Sequence, residues 1–393
     1  MEPVGGHRGT PGWIPLLAAT YAIGVSNSVV FAALSDLQDK YRFSDAGLGW
    51  IAGAGFVVGF FAQLLISPFA DRGHSKRLLM IGLLLAVGGG ALFAAGSSLV
   101  VFVIARAVLG CSNGTFLPAA RAIVASMSPD GVAERLGRLG GVELAGFVTG
   151  PVIGGALIGP LGIRWPFLVC SSAALIALIA LAGRRLHEPP RAARHERIGL
   201  ELLRLPRMRL GLLLSAGLFL PVGVYDALWD RYLTDRGASN TVIGLSFLLY
   251  GVPFVMLAAA GGRTADRIGP TRAAIIAIAC AAPFTGSYGL ITLPWLIVAA
   301  SVAEGSIQAL AVPGAQATIA AAAPPGRASA AQGLAGSTQL LAAAVAAMAS
   351  PAIYGAMGPG PVFLFAGGLM LVCAAAATIV ARQLRRSTII AIP

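Results

Sequence analysis

The chain has 393 residues, 57% hydrophobic and 11% charged, with a mean hydropathy of +0.81 and a formal net charge of +12. Soluble domains carry about 25% charged residues, so the composition argues against a soluble fold of this length. The basic residues lie in short gaps between apolar runs, with no groove of interleaved aromatics. This argues against a nucleic-acid partner and for a lipid bilayer.

A spanning helix needs about 20 mostly apolar residues. Trp13–Leu34 and Leu48–Phe69 supply the first two spans. The uncharged run from Leu78 to Ala105 is too long for one span and divides at Gly96-Ser97-Ser98, so span four continues past Arg106 to about Ser126. Span five runs from about Arg138 to Pro160 and span six from Trp165 to Gly183. A basic, proline-bearing stretch from Arg184 to Arg209 then reads as a linker. Spans seven and eight cover about Leu210–Trp229 and Thr241–Gly261. The run from Ala273 divides near Pro294 into spans nine and ten, the latter ending near Ala322. After Arg327 two more spans divide at Gly358-Pro359-Gly360. The expected fold is an all-α integral membrane protein of twelve transmembrane helices in two pseudo-symmetric halves of six. The halves are residues 1–183 and 210–393, joined by a cytoplasmic linker at 184–209.

Lysine and arginine orient the chain, because cytoplasmic loops keep the excess. Only Lys40, Arg42, Arg164, Arg231 and Arg236 fall in odd-numbered gaps, and Arg106 and Arg121 lie within spans. The rest of the 28 basic residues, Arg8 through Arg386, fall in even-numbered gaps, the linker or the tails. Both termini are therefore expected to be cytoplasmic, in a bacterial-type cytoplasmic (inner) membrane. Cys111, Cys170, Cys280 and Cys373 lie inside apolar runs without CxxC spacing, and His7, His74, His187 and His195 fall in loops or tails. No metal site, disulfide framework, cofactor or intramembrane histidine relay is expected. The absence of a GxxxxGK[ST] loop points away from ATP and toward an ion gradient as energy source.

The two halves repeat at an offset of 195 residues: Asp71-Arg72 matches Asp266-Arg267, Ser44 matches Ser239, Gly110 matches Gly305 and Pro118 matches Pro313. Related halves around a central linker are a known transporter architecture, with the substrate site between them near the midplane.

Three stretches carry a family resemblance. SPFADRGHSKR (Ser67–Arg77) and its copy GRTADRIGPTR (Gly262–Arg272) each place an Asp-Arg pair before a glycine and basic residues, although the first copy has Ser67 in place of glycine and lacks one residue. Arg106-Ala-Val-Leu-Gly110 sits in span four. GFVTGPVIGG (Gly146–Gly155) fits the pattern GxxxGPxxGG in span five, and Gly162-Ile-Arg164-Trp165-Pro166-Phe167 opens span six. Together they resemble the major facilitator superfamily, in particular twelve-span drug:proton antiporter-like exporters. The resemblance implies that Asp71, Arg72, Arg77, Asp266 and Arg267 latch the cytoplasmic faces of the halves. It also implies that Gly146, Gly150, Pro151, Gly154 and Gly155 serve a conformational helix interface.

Ionisable residues inside spans are costly and mark function by default. They are Arg106, Arg121, Glu143, Asp226 and Glu304. Glu304 lies about 15 Å into span ten at 1.5 Å per residue, near the midplane. Arg121 and Glu143 have the placement of an ion pair, with Glu143 also open to the cavity. The expected proton-coupling set is Glu304, Glu143 and Asp226, in that order, with Arg106 as the responding charge. Asn27, Asn113, Tyr225, Trp229 and Gln308 are the expected substrate-cavity residues. The favoured function is secondary active, proton-coupled efflux of hydrophobic or amphipathic small molecules by alternating access. The partners would be a small-molecule substrate, protons and the bilayer, and the protein would act as a monomer without enzymatic activity. The alternative is a metabolite (sugar) exporter or glycolipid flippase on the same fold. A receptor or membrane enzyme lacks any nucleophile–base pair to support it.

Overall fold

The computed structural model describes residues 12–43, 45–186, 188–189, 199–238 and 240–390. Arg8, Arg191, Arg194, Arg197, His7, His187, His195 and the Ser44–Ser239 pair lie outside them. The first half contains α1 (Trp13–Ser28), α2 (Leu34–Tyr41), α3 (Asp45–Leu65), α4 (Ser75–Ala95), α5 (Leu99–Ser126), α6 (Val132–Leu161) and α7 (Trp165–Ala182). The second contains α8 (Pro206–Asp235), α9 (Asn240–Ile268), α10 (Pro270–Ser287), α11 (Pro294–Ala322), α12 (Ala328–Met357) and α13 (Pro359–Ile390). Short 3-10 turns cover Val29–Ala33, Ser67–Arg72, Gly199–Arg204 and Tyr288–Leu290.

Twelve helices are long and apolar enough to cross a membrane, and no strand occurs among the described residues. The first span is α1 with its 3-10 continuation to Ala33, the short amphipathic α2 follows it, and α3 to α13 supply the other eleven.

Several helices outrun their apolar stretches. The fifth span was expected to start at about Arg138, but α6 begins at Val132. The eighth was expected to stop at Gly261, but α9 continues to Ile268. Helices of 29 to 30 residues reach about 45 Å, beyond a hydrocarbon core of about 30 Å, so the first turns of α6 and the last turns of α9 carry charges at the membrane boundary. Hydropathy marks the apolar segment, whereas backbone hydrogen bonding sets the helix end.

This moves the second Asp-Arg pair from the expected loop onto the last turn of α9. The first pair does lie in a turn, because Pro68 removes a backbone donor and the chain tightens into 3-10 geometry. Both segments reverse through a glycine at positive φ, Gly73 at 82° and Gly269 at 95°. An L side chain is strained there.

Each half has its own apolar core. Leu16, Leu79, Phe116 and Leu136 anchor one cluster in the first half, and Leu214, Ile278 and Met370 anchor one in the second. Near the Asp-Arg segments the first of these clusters extends into the second half through Ala265, Ala273 and Ala317.

Candidate functional site

The two Asp-Arg segments cross between halves reciprocally. Asp71 accepts hydrogen bonds from the backbone N–H groups of Ser329 (2.7 Å) and Ala330 (2.8 Å), in the first turn of α12. Asp266 accepts from Ala133 (3.0 Å) and Glu134 (2.9 Å), in the first turn of α6. Helix N-termini present unpaired N–H groups and the positive end of the helix dipole, so each carboxylate caps a helix of the other half. Each carboxylate latches to backbone and also attracts an arginine of the other half, Asp71 with Arg327 and Asp266 with Arg135, so the guanidinium partners are not those of the Asp-Arg pairs themselves. Arg72 instead stacks on Phe69, 4.5 Å from the ring centroid, while Arg77 and Arg267 are exposed. Arg263 adds an ion pair to Glu134 at 3.1 Å.

Small residues let the halves close around these latches. A Cβ on Gly262 would collide with Ala133 and Glu134, and one on Gly137 with Ala258. On the other flank, Gly333 and Gly336 lie against Ser67 and Gln63. The Ser337 hydroxyl also donates to the Phe60 carbonyl at 3.2 Å. The α6 motif occupies a different face. Gly146 packs on Tyr21, Gly150 on Ser28 and Val25, and Gly154 on Ala32, all in the first span. The glycines of the motif therefore pack within the first half and not against the second. Gly155 lies off the seam, where an added Cβ would meet nothing within 4 Å. Pro151 stands within α6 beside this seam. The half-to-half face of α6 is carried by Gly137 and Gly141, which the motif did not reveal.

Arg106 projects from α5 into a cavity of about 80 Å³ between the first half and Leu340 of α12. Its side chain is buried, at 4% exposure, so it does not snorkel to the surface. Nη1 donates to the Asn27 carbonyl at 2.5 Å, Nε has no partner, and the guanidinium lies 5.1 and 5.9 Å from the Phe31 and Phe56 ring centroids. Asn27, Asn113, Gln63 and Phe147 complete the lining, and the Gln63 Oε1 is likewise buried without a partner.

Glu304 is in the opposite condition. It is fully buried in α11, and its carboxyl is surrounded by Tyr288 Oη (2.6 Å), Tyr225 Oη (2.9 Å to each oxygen), Thr285 Oγ1 (3.0 Å) and Gln308 Nε2 (3.2 Å). No lysine or arginine among the described residues pairs with it. Trp229 closes the aromatic wall 5.1 Å from Tyr288 and donates through Nε1 to Ser246 at 2.8 Å.

The expected cavity residues thus separate into two groups. Asn27 and Asn113 stand with Arg106; Tyr225, Trp229 and Gln308 stand with Glu304. No hydrogen bond or ion pair among the described residues joins Arg106 to an acid. Glu143 pairs with Arg121 at 3.0 Å. Asp226, adjacent to Tyr225, is exposed and makes no hydrogen bond or ion pair among the described residues. Thr285, Tyr288 and the three phenylalanines were not singled out from sequence, since isolated hydroxyls and rings in apolar helices look like ordinary packing.

The profile of the Major Facilitator Superfamily matches residues 16–229 and 223–389. Multidrug resistance protein 2 of Bacillus subtilis is 37% identical over 174 residues, covering 42% of this chain and 42% of that protein. Quinolone resistance protein NorA of Staphylococcus aureus is 28% identical over 198 residues, covering 46% of this chain and 50% of that protein. These alignments therefore span about half or less of each curated relative. The crystal structure of the human organic anion transporter MFSD10 (TETRAN) superimposes with a TM-score of 0.77 at 19% identity, covering 93% of this chain and 98% of that one, which establishes a shared fold. With profile matches through both halves, this chain belongs to the Major Facilitator Superfamily.

Proposed function

We propose that this protein is a secondary transporter that exports hydrophobic or amphipathic small molecules by alternating access, driven by protons. The observation that carries the reading is the reciprocal pair of cross-half latches at one end of the interface, with the Arg106 cavity further along it. Two halves held at one end by a few hydrogen bonds can exchange that contact for one at the other end. The basic residues concentrate on the latched side, which makes it the cytoplasmic side. This conformation is then the one closed to the cytoplasm. The names of the curated relatives, a multidrug and a quinolone resistance protein, support drug-like cargo. Phe31, Phe56 and Phe147 around the cavity suit an amphipathic solute better than a sugar, which needs more hydrogen-bonding groups.

Glu304 is the proton carrier in this reading. Its cage supplies neutral donors but no countercharge. The carboxyl can therefore gain or lose a proton without breaking an ion pair, whereas Glu143 is already committed to Arg121. Asp226, exposed and unpaired beside Tyr225, ranks as the acid through which protons enter. The test is efflux from cells or proteoliposomes across dyes, antibiotics, sugars and lipids, with and without a proton gradient. Gradient-dependent export of amphipathic compounds is expected, and transport confined to sugars or glycolipids would overturn the reading.

A further inference from the structure

Among the described residues three arginines are buried: Arg106, Arg121 and Arg327, at 4, 6 and 7% exposure. Two of them have carboxylate partners, Arg121 with Glu143 and Arg327 with Glu201. Arg106 has none among the described residues, and one backbone carbonyl is its only hydrogen-bond acceptor. A buried cation without a countercharge carries a desolvation cost that ring contacts offset only in part. Nor does Glu304 serve as the missing partner, since its oxygens already accept from four side chains.

The surroundings of Arg106 specify what would complete it. The cavity of about 80 Å³ is smaller than whole small-molecule sites, about 300–1,000 Å³, so in this conformation it has room for the charged group of a ligand and must widen to take its rings. Two polar atoms of its lining residues are buried without a partner, a donor on a cation, Arg106 Nε, which abuts Gly55, and an acceptor, Gln63 Oε1, which abuts Gly336. The flanking surfaces are aromatic, with Phe31 and Phe147 in ring contact at 5.8 Å. The opening for the guanidinium is made by Gly55, where a Cβ would lie 2.7 Å from Nε.

We infer that Arg106 is an anion-binding group and that this cavity selects aromatic carboxylates over neutral or cationic compounds of the same shape. The carboxylate would take the free edge of the guanidinium by charge-assisted hydrogen bonds, its rings would lie against Phe31 and Phe56, and a donor on the ligand would reach Gln63. The inference rests on reading the cavity as the substrate site, and it narrows that reading to one charge class.

The experiment measures equilibrium binding of three probes to the purified full chain in nanodiscs: 2-naphthylacetate, its neutral amide, and (2-naphthylmethyl)trimethylammonium. The wild type should bind the carboxylate at least tenfold more tightly than either other probe. Arg106→Gln should reduce carboxylate affinity to that of the amide, and Arg106→Lys should keep part of the preference. Equal or tighter binding of the amide or the cation, no binding of any probe at millimolar concentration, or a preference that survives in Arg106→Gln would each overturn the inference. The wild-type comparison decides even where Arg106→Gln fails to insert. Proton-driven movement of ethidium in vesicles, measured on the same preparation, separates the two readings. Ethidium export without anion preference removes the charge selectivity alone. Anion binding at Arg106 with no transport of any probe removes the exporter reading and leaves the site.

Discussion

The two halves of this protein share a scaffold and diverge at one register. Gly110 in α5 packs on Gly55 of α3, and at the offset of 195 Gly305 in α11 packs on Tyr250 of α9. Where the first half has Gly55 it leaves room for the Arg106 guanidinium, whereas Tyr250 fills the equivalent space in the second. The repeat places Ser301 opposite Arg106 and Leu109 opposite Glu304. At this register the first half is therefore hollow and cationic, with the Arg106 Nε unpartnered, while the second is filled and acidic, with Glu304 held by four side chains. The latches remain equivalent, each an aspartate capping a helix of the other half. Duplicated geometry is kept where the halves must meet symmetrically. Chemistry diverges at the register to which the proposed function assigns the solute in one half and the proton in the other.

The largest expected effect comes from making the first half resemble the second. Gly55→Tyr would fill the cavity and displace Arg106, and we expect export to fall at least tenfold while the protein still elutes as a folded monomer. Near-normal efflux by that variant would break the contrast between a hollow and a filled half.

Next come the latches. Loss of a capping side chain to alanine costs about 0.5–2 kcal/mol, so Asp71→Ala and Asp266→Ala should each shift the conformational equilibrium by about 2- to 30-fold toward opening at that end. Inter-half distance distributions from spin labels there would report it, with substrate affinity nearly unchanged. A large shift from one aspartate and none from the other would show that the latches are not equivalent.

Smaller effects separate packing from motion. Gly150→Leu would drive a side chain into Ser28 and Val25, and overpacking of this kind costs about 1–3 kcal/mol. The expected readout is a lower melting temperature, while Gly155→Leu, facing open space, should leave stability within error. Smallest is Tyr354→Phe, which removes the 2.7 Å hydrogen bond to exposed Asp235. A loss below about 1 kcal/mol is expected in the same thermal assay.

The architecture was legible because hydropathy and charge act over whole segments. Runs such as Ser75–Ala95 and Trp165–Ala182 emerged within a few residues of their expected limits. The repeat of Asp71 and Asp266 exposed the two-half organisation from single residues. What these aspartates bind was not legible, because their partners are backbone N–H groups whose identity no side chain announces. The span-five glycines named a close approach without naming the neighbour, since a glycine gives no direction to its contact. Arg106 and Glu304 stood out as charges in apolar helices. Whether each was paired depended on residues such as Gly55, Tyr250 and Tyr288, brought near them only by folding.

The central claim is that Glu304 carries the proton for a solute held at Arg106. Its most direct test is substrate-induced proton release from inside-out vesicles by the wild type, Glu304→Gln and Asp226→Asn, with substrate binding measured in parallel. The account predicts that Glu304→Gln abolishes proton release yet still binds substrate, and that Asp226→Asn slows release without abolishing it. Proton release at wild-type stoichiometry in Glu304→Gln would contradict the account and remove that carboxyl from the mechanism.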